Sequence, residues 1–322
     1  RHLLFKETTC NPKTYINTLG KKYTFGLEIE TASGYLPYWL DGHVDYTAVH
    51  DGSLRNEDGS LYGGEYVTGV LEGDSGLLAT KLLCKELTKR CTLNNKCSVH
   101  VHLGNINFSK ENVIFMYTLF EKIQNELFLM FPNSRRNNEY CRKITPLNLD
   151  LSMLYDNVNS NFIVSNYYNE IIKLLSGGKS LSKEVNKTKD HPKGHKCGYD
   201  HSTHRYCWVN MIPSIFNTRK NNIYTIEFRL HSATTSYKKI KNWLLICMAL
   251  VDVVENHKQF LFKKFLTGNI SLDDIIYEVY GNKGVKLVNY IKERKEKFEK
   301  DIVEQNEFDD NEELDRISLK NL

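Results

Sequence analysis

The sequence predicts an α+β fold: a largely antiparallel sheet with one polar active-site face, and helices packed on the other face. Three observations point there. Strand-like stretches with a two-residue period group early in the chain and recur near residues 205–231. Helical stretches are mixed among them, without the regular strand–helix alternation that builds a parallel sheet. The best-patterned strands are oily on one side and ionisable on the other.

Residues 22–31 (KYTFGLEIET) open the sheet, with Phe25, Leu27 and Ile29 on one side and Gly26, Glu28 and Glu30 on the other. Strands follow at 43–50 (HVDYTAVH) and 61–69 (LYGGEYVTG), with turn residues DGS at 51–53 and EDGS at 57–60 between them. In the second of these, Glu65 lies opposite Tyr66 and shares its side with Val67. A helical pattern at 75–92 precedes a strand at 96–104 (KCSVHVHLG), whose His100 and His102 face away from Val99, Val101 and Leu103. A strong helix spans 109–131, and another runs from 161 to 176. Residues 177–203 are polar, rich in Lys, Gly and His, and aperiodic; so long a loop in a compact chain is functional or mobile. Strands resume at 205–211 (RYCWVNM) and 223–231 (IYTIEFRLH), the latter with Glu227, Arg229 and His231 opposite Ile226, Phe228 and Leu230. Helices at about 237–266, 272–281 and 284–304 lead to an acidic tail.

Composition narrows the function classes. The formal net charge is only +4, and the Lys-rich runs are interleaved with acids, so nucleic acid is not an expected partner. No apolar run reaches the length of a membrane span, and the first residues (RHLLFKETTC) lack a signal-peptide core. Eight scattered cysteines without a C-x-x-C pair suit a reducing, cytoplasmic compartment. The Lys-, Asn- and Tyr-rich composition suits an AT-rich source such as a phage or a low-GC bacterium.

The polar faces carry the chemistry. Glu28 and Glu30 on one face repel unless something positive lies between them. A divalent cation would do so: carboxylates suit Mg²⁺ or Mn²⁺, and imidazoles suit Mn²⁺ or Zn²⁺. Arg229 adds a planar fork for phosphate or carboxylate. Metal-binding carboxylates with an arginine make a kit for handling a nucleoside triphosphate, although no Walker-A sequence is present. Taken singly, each pair is better read as sheet surface or rim hydrogen bonding. Convergence on four strands favours a site in a wet cleft.

FGLEIE, HDGSL with GGEYVTGVL, CSVHVHLG, PNSRRNNEYC and YTIEFRLHSAT followed by NW together resemble the amidoligase family of carboxylate–amine ligases, over roughly residues 22–250. That resemblance implies a fold similar to glutamine synthetase. It implies ATP- and Mg²⁺-dependent amide formation between a small-molecule or peptide carboxylate and an amine, through an acyl phosphate. By it, Glu28, Glu30, Glu65 and Glu227 look like metal ligands, and His100 and His102 like metal or phosphate ligands. Arg229 would stabilise the transferring phosphoryl group, and Asp51 would bind metal or accept the amine's proton. Either Arg135 or Arg136 would hold a carboxylate or phosphate, and Asn210 would position substrate. Folds of this kind often form homo-oligomers.

The expected organisation is a catalytic domain over 1–265, with its mobile loop at 177–203, and a helical extension over 266–322 used for packing or as a partner surface. His191, His195, Cys197, His201, His204 and Cys207 could include a Zn²⁺ site, but familiar zinc spacing is not met, and a lid closing on substrate is the favoured reading. Two other readings stay open: a metal-dependent hydrolase or nuclease, and an inactive ligase fold serving as an interaction module.

Overall fold

The computed structural model describes residues 22–37, 40, 44–50, 64–155, 160–177, 203–216 and 224–299. Among these residues one sheet contains β1 (Thr24–Thr31), β2 (Tyr46–His50), β3 (Gly64–Thr68), β4 (Ser98–Gly104), β5 (Val209–Asn210) and β6 (Ile226–Ser232). The order is β2-β3-β1-β4-β6-β5, and every neighbouring pair is antiparallel. The longer helices are α1 (Gly73–Arg90), α2 (Lys110–Phe128), α3 (Ser160–Leu175), α4 (Tyr237–Asn256), α5 (Lys258–Thr267), α6 (Leu272–Tyr280) and α7 (285–299). The architecture is the α+β one expected from the sequence.

Alternation sorts the side chains. Leu27, Ile29, Val99, Val101, Leu103, Ile226 and Phe228 are fully buried on one face. The Phe228 ring lies 5.9 Å from Phe120 of α2 and 6.4 Å from Trp243 of α4, so these two helices cover that face. α1 packs tightly on β1 through Gly76, where a Cβ would come within 3.0 Å of Phe25. The start of β1 is tied to α4: Lys22 Nζ lies 3.0 Å from both Asp252 and Glu255, and the Tyr23 hydroxyl donates to either carboxylate. The C-terminal helices are used for packing. Leu272, Ile275, Ile276 and Ile291 are fully buried in the same core as the sheet.

Two elements depart from the periodicity. The single helix expected over 237–266 breaks at His257, whose backbone (φ −127°, ψ 37°) ends α4 and starts α5 while its Nδ1 meets Glu278 of α6 at 2.7 Å. The strand expected over 205–211 shrinks to β5 behind a 3₁₀ turn at Thr203–Tyr206. There the backbone bonds to Arg142 instead, through Arg142 N–H to Tyr206 O and Trp208 N–H to Arg142 O.

His231 does not join the polar face. From Phe228 to His231, β6 takes three steps where β4 takes two between Val101 and Val99, so Arg229 and Leu230 share the place opposite His100. This β-bulge swaps the faces that follow it. His231 now stands opposite Val99 and packs 5.3 Å from the Phe131 ring and 5.9 Å from Trp243. Burial pushes its pKa down to about 3, opposed by the hydrogen bond to Ser232 O and reinforced by Arg294, Lys239 and Arg135. An unfolded histidine titrates near 6.5, so between about pH 6.5 and 3 the unfolded chain holds a proton that the native ring refuses. Native stability therefore falls as pH drops through that window. His231→Phe is expected to flatten the fall by up to one proton's slope, read by urea unfolding at stepped pH; an unchanged profile would place the ring elsewhere.

Candidate metal and nucleotide site

The opposite face of the sheet gathers the ionisable residues into a row. Register brings Glu30 beside Glu65 across β1 and β3, Glu28 beside His100 and Gly26 beside His102 across β1 and β4. It then brings His102 beside Glu227 and Glu227 beside Asn210. Side chains two residues apart on each strand complete the cluster.

Glu28 is the hub. Its Oε2 lies 3.0 Å from His100 Nδ1, and its Oε1 lies 2.9 Å from His102 Nε2. The latter is a charge pair, and His102 Nδ1 is buried without a hydrogen-bond partner among the described residues. Burial alone would raise the Glu28 pKa, but His102 and His100 outweigh it, and the carboxyl is held far below the usual range. Glu30 accepts from the Ser98 backbone N–H at 2.6 Å and from Ser98 Oγ at 2.7 Å. Ser98 Oγ also meets His100 Nε2 at 2.8 Å. Ser98 is a site residue that sequence reasoning overlooked, although it stands two residues before His100 on the same face.

Glu227 binds three neighbours. Its Oε1 pairs with Arg229 Nη1 and lies 3.4 Å from His100 Nδ1, and its Oε2 accepts from Asn210 Nδ2 at 2.9 Å. Burial works to raise its pKa, yet Arg229, His102 and His100 hold it below the ordinary range. Arg229 Nε donates to Tyr140 O at 3.1 Å, while Nη2 makes no hydrogen bond among the described residues. Burial would lower the Arg229 pKa, but Glu227, Glu28 and Glu30 raise it instead.

The centre of the site is packed rather than the wet cleft expected. Side-chain exposure is 5% for His100 and Glu227, 8% for His102, and 17% for Glu28. Direct charge pairs between strands fill it. The other predicted residues fall into different places. Asn210 is occupied by Glu227 and by Ile212 N–H, so it orients a carboxylate. Arg135 is buried and turned onto the backbone of β6. Arg136 does not join the cluster; it donates to Phe128 O and Phe298 O and anchors α7. Asp51 lies outside the described residues, as do His191, His195, Cys197 and His201 of the loop considered for zinc. Of that loop's described members, His204 Nδ1 lies 3.9 Å from Cys207 Sγ.

The donor set fits divalent cations. Glu28, Glu65 and His100 offer ligand atoms all within 4.8 Å of one another, and so do Glu28, His102 and Glu227. Oxygen-rich triads with one imidazole suit Mg²⁺ or Mn²⁺. His102 Nδ1 points the same way: it is buried with no hydrogen-bond partner among the described residues, and buried polar atoms ordinarily find one. Beside Glu28 and His102 opens a groove of about 600 Å³, lined by Gly26, Val67, Gly69, Gly104, Tyr224 and Thr225 among others, with no Lys or Arg among the described residues that line it. The site thus has an ionic centre and a neutral flank.

A family described as "putative amidoligase enzyme" matches residues 39–251. The chain belongs to the amidoligase family. The match leaves out β1, yet in this chain β1 is hydrogen-bonded between β3 and β4 and supplies Glu28 and Glu30. No curated protein and no solved structure matches the chain. Among the described residues, no helix is long and apolar enough to cross a membrane.

Proposed function

We propose that the protein joins a carboxylate to an amine at the expense of ATP, with Mg²⁺ or Mn²⁺ as cofactor. One observation carries the reading: Glu28 is shared by two potential cation triads, on a face where Arg229 is held beside Glu227. Glu28, Glu65 and His100 would hold one cation, and Glu28, His102 and Glu227 the other. Bound there, the cations would offset the charge of the triphosphate.

The substrate carboxylate oxygen attacks the γ-phosphorus, the bond from that phosphorus to the β,γ-bridging oxygen breaks, and ADP leaves. The product is an acyl phosphate. Amine nitrogen then attacks the acyl carbon, the bond from that carbon to the phosphate oxygen breaks, and the departing inorganic phosphate takes up the proton that the nitrogen releases. Arg229 Nη2 would meet charge that grows on the transferring phosphoryl oxygens. Glu227 and the Tyr140 carbonyl fix the direction of that guanidinium. The neutral groove suits an uncharged portion of a bound nucleotide or substrate.

Titration calorimetry of the wild type with ATP, with and without Mg²⁺, tests the proposal. Binding that requires the cation is expected, followed by phosphate release only when a carboxylate and an amine are both supplied. No cation-dependent binding, or metal-dependent hydrolysis that ignores ATP, would overturn it.

A further inference from the structure

The segment PNSRRNNEYC reaches the site twice, and neither contact resembles substrate binding. Arg135 lies on the short helix Asn133–Arg136 and is 2% exposed. Its Nη2 donates to Arg229 O at 2.5 Å and its Nε to Leu230 O at 3.2 Å. Those are the carbonyls of the two residues that share one place in the β6 bulge. A bulge takes backbone groups off the ladder, and buried carbonyls need another donor. Arg135 supplies it with one planar fork across two consecutive carbonyls.

The same segment holds the Arg229 side chain from its other end. Tyr140 O accepts from Arg229 Nε at 3.1 Å. Cys141 Sγ donates to Arg135 O at 3.2 Å, closing residues 135–141 on themselves. Arg229 is therefore gripped at its backbone by Arg135 and at its guanidinium by Tyr140, while the bulge decides which residues of β6 face the site. Arg136, the next residue, turns away to Phe128 and Phe298, so the two arginines do different work.

We infer that Arg135 is a positioning residue that locks the β6 bulge and so keeps the Arg229 guanidinium on the polar face beside Glu227, without touching substrate itself. The functional part of this rests on the reading of Arg229 as the cation that meets the phosphoryl group. Arginine suits the task for two reasons. Its charge persists when buried, and its donors are spaced in a rigid plane. A lysine offers a single flexible point and loses its proton readily on burial.

The test uses the full chain with ¹⁵N-labelled arginine and the variant Arg135→Lys. In the wild type, the Arg229 Nε–H signal, assigned by its loss in Arg229→Lys, is expected to exchange slowly because Tyr140 O holds it. In Arg135→Lys its exchange is expected to speed by about tenfold or more, with far-UV circular dichroism unchanged. Mg²⁺·ATP titrations provide a second arm. Arg135→Lys is expected to alter affinity in the wild-type background and to add nothing in the Arg229→Lys background. An unchanged Arg229 signal, or a loss of affinity that persists in Arg229→Lys, would overturn the inference and make Arg135 a direct ligand. If Arg135→Lys does not fold, Arg135→Gln is measured in the same way. Loss of the fold in both would replace positioning with a general structural role. Failure of the wild type to bind Mg²⁺·ATP would sink the proposed function instead, and the nuclear magnetic resonance arm would still decide the positioning.

Discussion

Glu28→Gln is expected to abolish cation-dependent ATP binding. Glu28 is the one residue common to both ligand triads, with one oxygen toward His100 and the other toward His102. An amide keeps the shape and loses the charge, and its NH₂ end presents hydrogens where a cation needs a lone pair. Removing groups that merely orient metal ligands already costs about 10–100-fold in metal affinity, so losing a shared ligand is expected to exceed ~100-fold. Glu65→Gln removes a ligand from one triad only and is expected to lose less. Titrations of both variants with Mn²⁺ and with Mg²⁺·ATP check the order. Equal losses, or a metal dependence in Glu28→Gln that matches the wild type, would remove Glu28 from the hub.

Glu227→Gln is expected to strike stability as well as chemistry. It leaves the Arg229 guanidinium largely buried without its carboxylate. Breaking a buried ion pair from one side costs about 3–5 kcal/mol, because the surviving charge has lost both water and partner. The double variant Glu227→Gln/Arg229→Gln is expected to recover part of that loss. The sign with pH follows from the depressed Glu227 pKa: its stabilisation is fully present above the unfolded carboxylate range and is lost only as pH falls through the lower native value. Urea unfolding of the wild type and both variants measures the terms. A Glu227→Gln protein as stable as the wild type would mean that the pair does not hold this part of the sheet.

Much of the site was legible in the sequence because two strands in it alternate without interruption. FGLEIE and SVHVHLG separate oil from charge residue by residue, and β1 and β4 pair in register over their length. Ser98 obeyed the same rule. β6 was legible only as far as Arg229, because LHS continues the alternation on paper and nothing in its letters marks an extra residue. Contacts from Arg135 and Trp208 hold the bulge, and they come from distant segments. The Tyr140 carbonyl was invisible for a different reason: a backbone oxygen has no residue type. Asn210 was found but not its task, since the sequence does not show that Glu227 would occupy its amide.

The β6 bulge also bears on how this fold can change. In β1 and β4, one face serves chemistry and the other serves stability, so a single inserted residue within either strand would exchange the two sets wholesale. β6 has the form of an insertion already absorbed. Upstream of its extra residue the strand sends Glu227 to the site, and downstream the same polar pattern delivers His231 into the oil. The reversal of side-chain direction thus puts an imidazole among aromatic rings, and Arg135 bonds the two carbonyls at the point of reversal.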